Sequence, residues 1–225
     1  MEFDSFVLAA STADLADATD AREHADCIEF RLDLADDPLT ALESADVALP
    51  ILATNRAAWE GGEWAGDDDR RLEVLAEATA TDAVEAIDVE LEAVLAGDAE
   101  DVLETARERD VSVVVSAHDF EGTPSRPELV RTLTEAGKYG DVAKLAVTAE
   151  SRADTLAVLS ATEQLTAHGD AVATMAMGEL GSHTRAVAPV YGSKIGYAPV
   201  DPAAATAPGQ YDLETLADLV ATLSS

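Results

Sequence analysis

Hydrophobic positions along this chain alternate between two kinds of pattern. Short runs of apolar and β-branched residues, such as VSVVVS at residues 111–116, predict buried strands, and between them Ala and Leu recur at helical spacing among acidic residues. The predicted strands are residues 5–11, 27–34, 49–54, 83–90, 111–116, 141–147, 171–177 and 193–197. The predicted helices are residues 12–25, 38–45, 67–80, 98–109, a segment that Ser125 opens as its cap, 151–164, 178–187 and 211–223.

This regular succession of strands and helices predicts a parallel sheet, because each return to a parallel strand needs a crossover that a helix supplies. Eight such units predict an α/β fold of the closed (β/α)8 type, a TIM barrel, as one domain over residues 1–225. The alternative is an open doubly wound sheet. The chain has neither a glycine-rich dinucleotide fingerprint after its first strand nor a P-loop, which counts against the nucleotide-binding folds.

The balance of charge excludes several classes of partner. The chain has 45 acidic and 14 basic side chains, a formal net charge of −31, so nucleic acid and anionic membrane surfaces are poor partners. The acidic residues are spread over the predicted helices and lysine is scarce, which is typical of halophilic proteins; an ordinary acidic protein is the alternative. No apolar run approaches the roughly 18 residues of a membrane span, and the acidic start does not resemble a signal peptide, so we expect a soluble, cytoplasmic protein.

Metal and disulfide chemistry have little support in the sequence. Cys27 is the single cysteine, so no intrachain disulfide can form. No three His, Asp, Glu or Cys residues have convincing zinc spacing, and we expect no metal and no organic cofactor.

Lys144 interrupts the apolar strand at residues 141–147. A buried ammonium costs free energy, so burial favours the neutral amine, which is a nucleophile toward carbonyl groups. The simpler interpretation is a lysine whose ammonium reaches solvent from the end of a strand. The chain has only three lysines, the others being Lys138 and Lys194, so the position of this one inside a strand favours a functional role.

In a barrel, chemistry lies at the carboxyl ends of the strands. Polar residues and methionines in or after the predicted strands are therefore candidates, and they are Glu29, Arg31, Arg56, Asp88, Glu90, His118, Lys144, Met175, Met177 and Arg185. His118 follows the strand before that of Lys144, and such a pair combines an amine nucleophile with a proton shuttle. Structural alternatives remain: His118 bonded to a backbone carbonyl, an ion pair between Glu29 and Arg31, and methionines that only fill the core.

Several stretches of the chain, in this order, resemble one enzyme family. They are residues 29–33 (EFRLD), 54–56 (TNR) with 60–62 (EGG), 88–90 (DVE), 116–120 (SAHDF) with 123–124 (TP), 143–146 (AKLA), 175–178 (MAMG), 184–185 (TR), 192–193 (GS) and 207–210 (APGQ). The chain resembles the type I 3-dehydroquinate dehydratases of the shikimate pathway over essentially its whole length. The resemblance implies a (β/α)8 barrel, a homodimer, and no cofactor.

The resemblance also implies roles for individual residues. Lys144 would form an imine with the ketone of 3-dehydroquinate, and His118 would remove a proton from the adjacent carbon and then protonate the departing hydroxyl. Arg185 would hold the substrate carboxylate, with Gln210 on a closing loop. The other substrate-binding residues would be Glu29, Arg31, Arg56, Ser11, Thr206, Met175, Met177 and Tyr197. Glu60 and Asp88 would support them, with Asp88 expected to orient His118.

The chain departs from the family pattern at a few positions. Thr206 stands where serine is frequent, Tyr197 where phenylalanine is common, and Lys194 where a small residue is usual. The segment from Tyr197 to Gln210 is longer than the family spacing. Two other functions share part of the pattern: another Schiff-base barrel lyase such as a class I aldolase, and a catalytically silent barrel kept as a binding or assembly protein.

Overall fold

The computed structural model describes residues 1–204 and 207–224, and within these ranges the chain forms eight strands and eight α-helices. The strands are β1 (Val7–Thr12), β2 (Cys27–Arg31), β3 (Ile51–Thr54), β4 (Val84–Glu90), β5 (Ser112–Asp119), β6 (Val142–Thr148), β7 (Val172–Met177) and β8 (Ile195–Pro199). The helices are α1 (Pro38–Ser44), α2 (Asp68–Ala78), α3 (Leu91–Ala96), α4 (Glu100–Glu108), α5 (Arg126–Ala136), α6 (Arg152–Thr166), α7 (Thr184–Val187) and α8 (Leu213–Leu223).

The strands form one parallel sheet in the order β8, β1, β2, β3, β4, β5, β6, β7. Each neighbouring pair in that order is joined by a parallel ladder. Strands β7 and β8 also meet, because the backbone N–H of Lys194 donates to the carbonyl of Val172 at 2.7 Å. The sheet is therefore a nearly closed barrel, which confirms the predicted fold class and contradicts the open doubly wound alternative.

Two apolar layers enclose the strands, one inside the barrel and one between the barrel and its helices. Along β2, Ile28 and Phe30 pack in the outer cluster with helix residues, whereas Cys27 belongs to the inner cluster, which consists of residues from the strands and the chain start. Because side chains alternate across a strand, Glu29 and Arg31 share the inward face of Cys27. Glu29 and Arg31 therefore lie on the inside of the barrel.

The segment at residues 12–25 differs from its predicted α-helix. It forms a 3-10 helix over Asp17–Glu23 instead. Thr12 and Asp14 bond to each other through side chain and backbone, and the Asp14 carboxylate accepts from the N–H of Ala16. Such local side-chain bonds satisfy backbone groups without a helix and compete with it.

The fifth strand is longer than predicted and changes the position of His118. Strand β5 continues to Asp119 because Ala117, His118 and Asp119 remain paired with β6. His118 therefore lies within the strand rather than after it. Helix α3 was not predicted; it follows β4 directly and ends at Gly97, whose φ of 88° suits the left-handed position after a helix. Of the helix predicted at residues 178–187, only Thr184–Val187 is α-helical.

In the part of the chain that the structure describes, no helix is both long enough and apolar enough to cross a membrane.

Candidate active site

A pocket opens at the carboxyl ends of the strands and holds about 520 Å³ of space, its solvent-open mouth included. The predicted site residues that line it are Glu29, Arg31, Arg56, Glu60, His118, Lys144, Met175, Met177, Arg185, Tyr197 and Gln210. Ser11 and Asp88 lie behind this lining, and Thr206 lies outside the described residues. Phe120 and Thr54 also line the pocket and were not predicted.

Lys144 extends from the middle of β6 into the base of the pocket, with 4% of its surface exposed. Its Nζ lies 2.8 Å from Oδ2 of Asp88 and 4.3 Å from the ring centre of Tyr197. An ammonium over an aromatic face is attracted by the ring's negative face. The lysine therefore does not reach bulk solvent, and an acidic side chain faces its amine.

Asp88 is the buried carboxylate that joins three donors on the inner side of the barrel. It accepts from Lys144, from Nη2 of Arg56 at 2.8 Å and from the Ser116 hydroxyl at 2.6 Å. Burial acts to raise the pKa of Asp88, but the positive charges of Arg56 and Lys144 outweigh it and hold this pKa well below its ordinary value. Asp88 is therefore an ionised counter-ion for the amine.

His118 is bonded to Glu60, not to Asp88 as the resemblance suggested. Its Nδ1 lies 2.8 Å from Oε2 of Glu60, which follows β3 on a 3-10 turn. The imidazole stacks on Phe120 with ring centres 6.1 Å apart. Burial, together with the positive charges of Arg56 and Lys144, lowers the pKa of His118 well below its ordinary value, so the ring is neutral near neutral pH.

The pKa of Glu60 is shifted upward, opposite to that of His118. Burial raises the pKa of Glu60 to about 8, with Glu90 and Asp88 adding to the rise and Arg56, 3.8 Å away, opposing it. Near neutral pH, a proton shared by Glu60 and His118 is therefore on the Glu60 carboxyl. Because Nδ1 of His118 is bonded to Glu60, Nε2 is the ring nitrogen that can interact with a molecule in the pocket. Such a carboxyl–imidazole couple is suited to moving protons.

The two reactive groups approach from neighbouring strands. Ser116 of β5 is in register with Lys144, and His118 with Ala146, so the imidazole lies one inward-facing position nearer to the mouth than the amine. A small molecule in the pocket can therefore face both groups at once.

Arg185 supplies a cation on the β7 side of the pocket. It is buried in α7, where burial lowers its pKa to about 10, so it remains charged at neutral pH. Its contacts are weak: Nη2 donates to the Pro208 carbonyl at 3.4 Å and Nη1 lies 3.8 Å from the Met175 sulfur. In the described residues it has no acidic partner and its Nε donates to no group. A buried guanidinium with free donors suits an anion such as a carboxylate.

Polar residues of β1, β2 and β3 form the opposite wall. Glu29 accepts from the Ser11 hydroxyl and from the Thr54 hydroxyl, the latter at 3.1 Å. The Ser11 hydroxyl is therefore engaged with Glu29, behind the lining. Arg31 binds Asp33 through Nε at 2.9 Å and Nη2 at 2.7 Å, so its ion pair is with Asp33 rather than with Glu29.

The segment at residues 207–210 is seated on the end of β7. The N–H of Gly178 donates to the Pro208 carbonyl at 3.1 Å, and Gln210 accepts from the N–H of Ala207 at 3.1 Å. Gly209 has a φ of 75°, and a Cβ there would lie 2.3 Å from the Gly178 carbonyl oxygen. Glycine at position 209 therefore lets Gln210 reach the pocket.

Comparison with known proteins identifies this arrangement. The sequence profile of the type I 3-dehydroquinase family matches residues 5–225. The chain belongs to this family. The similar proteins include the 3-dehydroquinate dehydratases of Haloarcula marismortui, 56% identical over 100% of this chain and 99% of the relative, and of Halobacterium salinarum, 54% identical over 99% of this chain and 100% of the relative. Both relatives come from halophilic archaea, which agrees with the acidic composition.

Solved structures of the type I 3-dehydroquinases have the same barrel. The enzyme of Geobacillus kaustophilus superposes with a TM-score of 0.86 at 27% identity, covering 98% of this chain and 92% of that one. The type I 3-dehydroquinate dehydratase of Clostridium difficile, described with covalently modified comenic acid, gives 0.85 at 26% identity, covering 97% and 92%.

In this type I 3-dehydroquinase, sequence reasoning missed Ser116 and Arg71 as parts of the site's support. Ser116 donates to Asp88 and accepts from Arg56 at 2.8 Å. Arg71 is fully buried in α2, behind the site. The helical spacing carries a signal for it, since Arg71 precedes the apolar Val74, Leu75 and Ala78 by three, four and seven positions and so shares their buried face.

Proposed function

We propose that this chain catalyses the dehydration of 3-dehydroquinate to 3-dehydroshikimate through an imine on Lys144, a reaction of the shikimate pathway. The observation that carries the proposal is the buried Lys144 amine facing the same pocket as His118 and the cation of Arg185. Membership of the type I family supports the reaction, as do the two halophilic relatives named 3-dehydroquinate dehydratase. The same findings favour it over an aldolase or a silent barrel.

Imine formation begins when Lys144, after losing a proton, attacks the ketone carbon of the substrate. A C–N bond forms, the carbonyl oxygen leaves as water, and the nitrogen becomes a protonated imine. The positive nitrogen then lies beside Asp88, whose carboxylate is 2.8 Å from Nζ, and over the Tyr197 ring. Preformed negative charge in a buried site stabilises such a cation without reorganisation.

His118 carries out both proton steps of the elimination. When Glu60 is ionised and accepts from Nδ1–H, Nε2 is free and removes a proton from the carbon next to the imine. The C–H electrons then move toward the nitrogen, which gives an enamine. The enamine expels the neighbouring hydroxyl, the C–O electrons leave with the oxygen, and His118 returns its proton to form water. A syn elimination lets one base serve both steps, and hydrolysis of the imine then frees the product and Lys144.

The remaining residues orient the substrate. Arg185 binds the carboxylate through its free donors, and Glu29, Arg31 and Arg56 bind the hydroxyl groups. Gln210 closes the pocket from its loop. A role for Thr206 on that loop, the homodimer and a cytoplasmic location remain predictions from the sequence.

Borohydride trapping tests the proposal. The protein is mixed with 3-dehydroquinate and borohydride in molar KCl, digested, and mapped by mass spectrometry, with an adduct expected on Lys144. Lys144→Ala should form no adduct and turn over no substrate, whereas His118→Ala should form the adduct but turn over slowly.

Lys194→Ala is the matched control, because the Lys194 amine bonds to the Asp4 carbonyl at 2.6 Å near the amino end of the barrel. It should retain both adduct and activity. An adduct on Lys194, or an active protein without any adduct, would refute the imine on Lys144.

A further inference from the structure

Arg71 is a buried cation that lies behind the pocket and does not line it. It belongs to the first turns of α2, and none of its surface is exposed. A charged side chain is buried at a large cost in free energy unless it is paired and hydrogen-bonded. Its contacts therefore indicate what the position is for.

The guanidinium of Arg71 binds three groups in different parts of the fold. Nη1 donates to Oε2 of Glu90 at 2.7 Å and to the carbonyl of Asn55 at 2.8 Å. Nε and Nη2 donate to the carboxylate of Asp68 at 2.6 and 3.3 Å. Asp68 has 39% of its side chain exposed, whereas Glu90 is fully buried. Arg71 thus joins a surface carboxylate to an interior one.

The same contacts fix the backbone around Arg56. The Asn55 side chain donates to the Arg71 carbonyl at 2.9 Å, so Asn55 and Arg71 each bind the other's backbone. On the other side, the N–H of Ala57 donates to Oε1 of Glu90 at 3.0 Å. Arg56 lies between these two anchors, and both of them depend on Arg71.

The side chain of Arg56 continues the connection into the pocket. Its Nη1 donates to Oε1 of Glu90 at 2.9 Å, the oxygen that Arg71 leaves free. Its Nη2 donates to Asp88 at 2.8 Å, and Asp88 in turn faces the Lys144 amine at 2.8 Å. Positive and negative groups therefore alternate from Arg71 to Lys144 without a break.

We propose that Arg71 is a positioning residue for the imine chemistry: it fixes Arg56 through Asn55 and Glu90, and thereby holds Asp88 against Lys144. This inference rests on the proposed function. Without the cation of Arg71, Arg56 is the one guanidinium that still pairs with the buried Glu90 carboxylate. Glu90 then attracts Arg56 more strongly and displaces it from Asp88. A displacement of about 1 Å in a supporting group can cost on the order of 100-fold in rate.

The test measures how fast the imine forms in Arg71→Met, in Arg71→Lys and in the surface control Asp68→Asn. Each protein is mixed with 3-dehydroquinate in molar KCl and quenched with borohydride after increasing times. Mass spectrometry then gives the adduct on Lys144, and circular dichroism gives the folded fraction. The readout is the rate of imine formation per folded molecule, which a purely structural role would leave unchanged.

We expect Arg71→Met to slow imine formation roughly 10- to 100-fold. Arg71→Lys should be intermediate, because lysine restores the charge but not the planar fork. Asp68→Asn should keep the wild-type rate, because it removes the charge only on the surface side. A wild-type rate in Arg71→Met, or a rate in Asp68→Asn as low as that of Arg71→Met, would overturn the proposal.

If Arg71→Met does not fold, the rate of imine formation in Arg71→Lys tests the proposal. A slower rate per folded molecule supports the positioning role, and an unchanged rate overturns it. A wild-type protein that forms no adduct with 3-dehydroquinate would instead refute the proposed function, so the two failures are distinguishable.

Discussion

Glu60→Gln changes the carboxylate that is bonded to His118, the proposed base of the reaction. The change keeps the length of the side chain and an oxygen that can accept from Nδ1 of His118, but it removes the charge and the titration. Glu60 and His118 are 2.8 Å apart, with side chains 9% and 11% exposed, so solvent screens their interaction little. The exchange therefore isolates the contribution of the carboxylate.

The pH dependence follows from the raised pKa of Glu60, about 8. Below this value the carboxyl is protonated and donates to Nδ1, so the ring proton is on Nε2 and the histidine cannot act as a base there. Above it the carboxylate accepts from Nδ1–H and leaves Nε2 free. We expect kcat/KM of the wild-type protein to rise with pH, with a midpoint near 8.

In Glu60→Gln the rise of kcat/KM around pH 8 should disappear, because the amide does not titrate. The profile should then fall only where His118 itself is protonated, at lower pH, since the pKa of His118 is well below its ordinary value. At alkaline pH the variant should be slower, because a hydrogen bond to a charged group contributes about 1.5–3 kcal/mol. At about 1.4 kcal/mol per tenfold, that loss is roughly a 10- to 150-fold decrease in kcat/KM.

The assay follows the ultraviolet absorbance of the conjugated product in molar KCl over a range of pH. Glu63→Gln is the matched control, because Glu63 is an exposed residue of the same loop and the chemical change is identical. Two results would refute the reasoning: an acid limb in Glu60→Gln with the wild-type midpoint, or a wild-type rate for this variant at alkaline pH.

Two further predictions concern binding and stability. Arg185→Met should raise KM for 3-dehydroquinate roughly 10- to 150-fold, from the loss of a charge-assisted hydrogen bond of about 1.5–3 kcal/mol, and an unchanged KM in initial-rate measurements would contradict the carboxylate contact. Because the pKa of folded Asp88 is below its unfolded value, its carboxylate stabilises the fold above about pH 3.9, and this contribution is lost as pH falls through the folded value. Asp88→Asn should therefore unfold at lower temperature than wild type near neutral pH, with a difference that narrows on acidification; a difference independent of pH would contradict this assignment.

Periodicity of apolar residues was sufficient to predict the barrel and to assign the main site residues to its strands or strand ends, although His118 lies within β5 rather than after it. Lys144 and His118 were assigned to neighbouring strands, and the register of β5 and β6 agrees with that assignment. Residues 29 and 31 share one face of β2 because strand side chains alternate, and this is a local property that the sequence of the strand contains.

The partners of these side chains could not be predicted in the same way. Asp88 belongs to β4 and Lys144 to β6, with β5 between them, so their contact depends on the curvature of the barrel. Glu60 reaches His118 from a turn after β3, two strands away from β5. A pattern along the chain predicts which face of a strand a residue occupies. It does not predict which carboxylate contacts which basic side chain across the barrel interior.

Residues of the same type that are adjacent in the sequence can also have different surroundings in the fold. Arg70 and Arg71 are adjacent in the same helix, yet Arg70 pairs at the surface with Glu73 and Glu77, while Arg71 is fully buried. The one-position difference rotates the side chain by about 100° around the helix axis. The predicted helix did contain this information, but the functional importance of Arg71 depends on Glu90 and Asn55, which come from other elements.

Strands β7 and β8 are joined by fewer backbone bonds than the other neighbouring strands of the described barrel. Asp88, His118 and Lys144 come from β4, β5 and β6, which are joined by continuous ladders, whereas the apolar wall of Met175, Met177 and Tyr197 flanks the one pair of neighbouring strands in the described barrel that no ladder joins. Local opening concentrates where backbone bonding is sparse. The β7–β8 edge is therefore where the described barrel can open locally with the loss of the fewest backbone bonds, and such opening leaves the ladders of β4, β5 and β6 intact. Substitutions along this edge can therefore be tested for an altered substrate preference without changing the reacting groups on β4, β5 and β6.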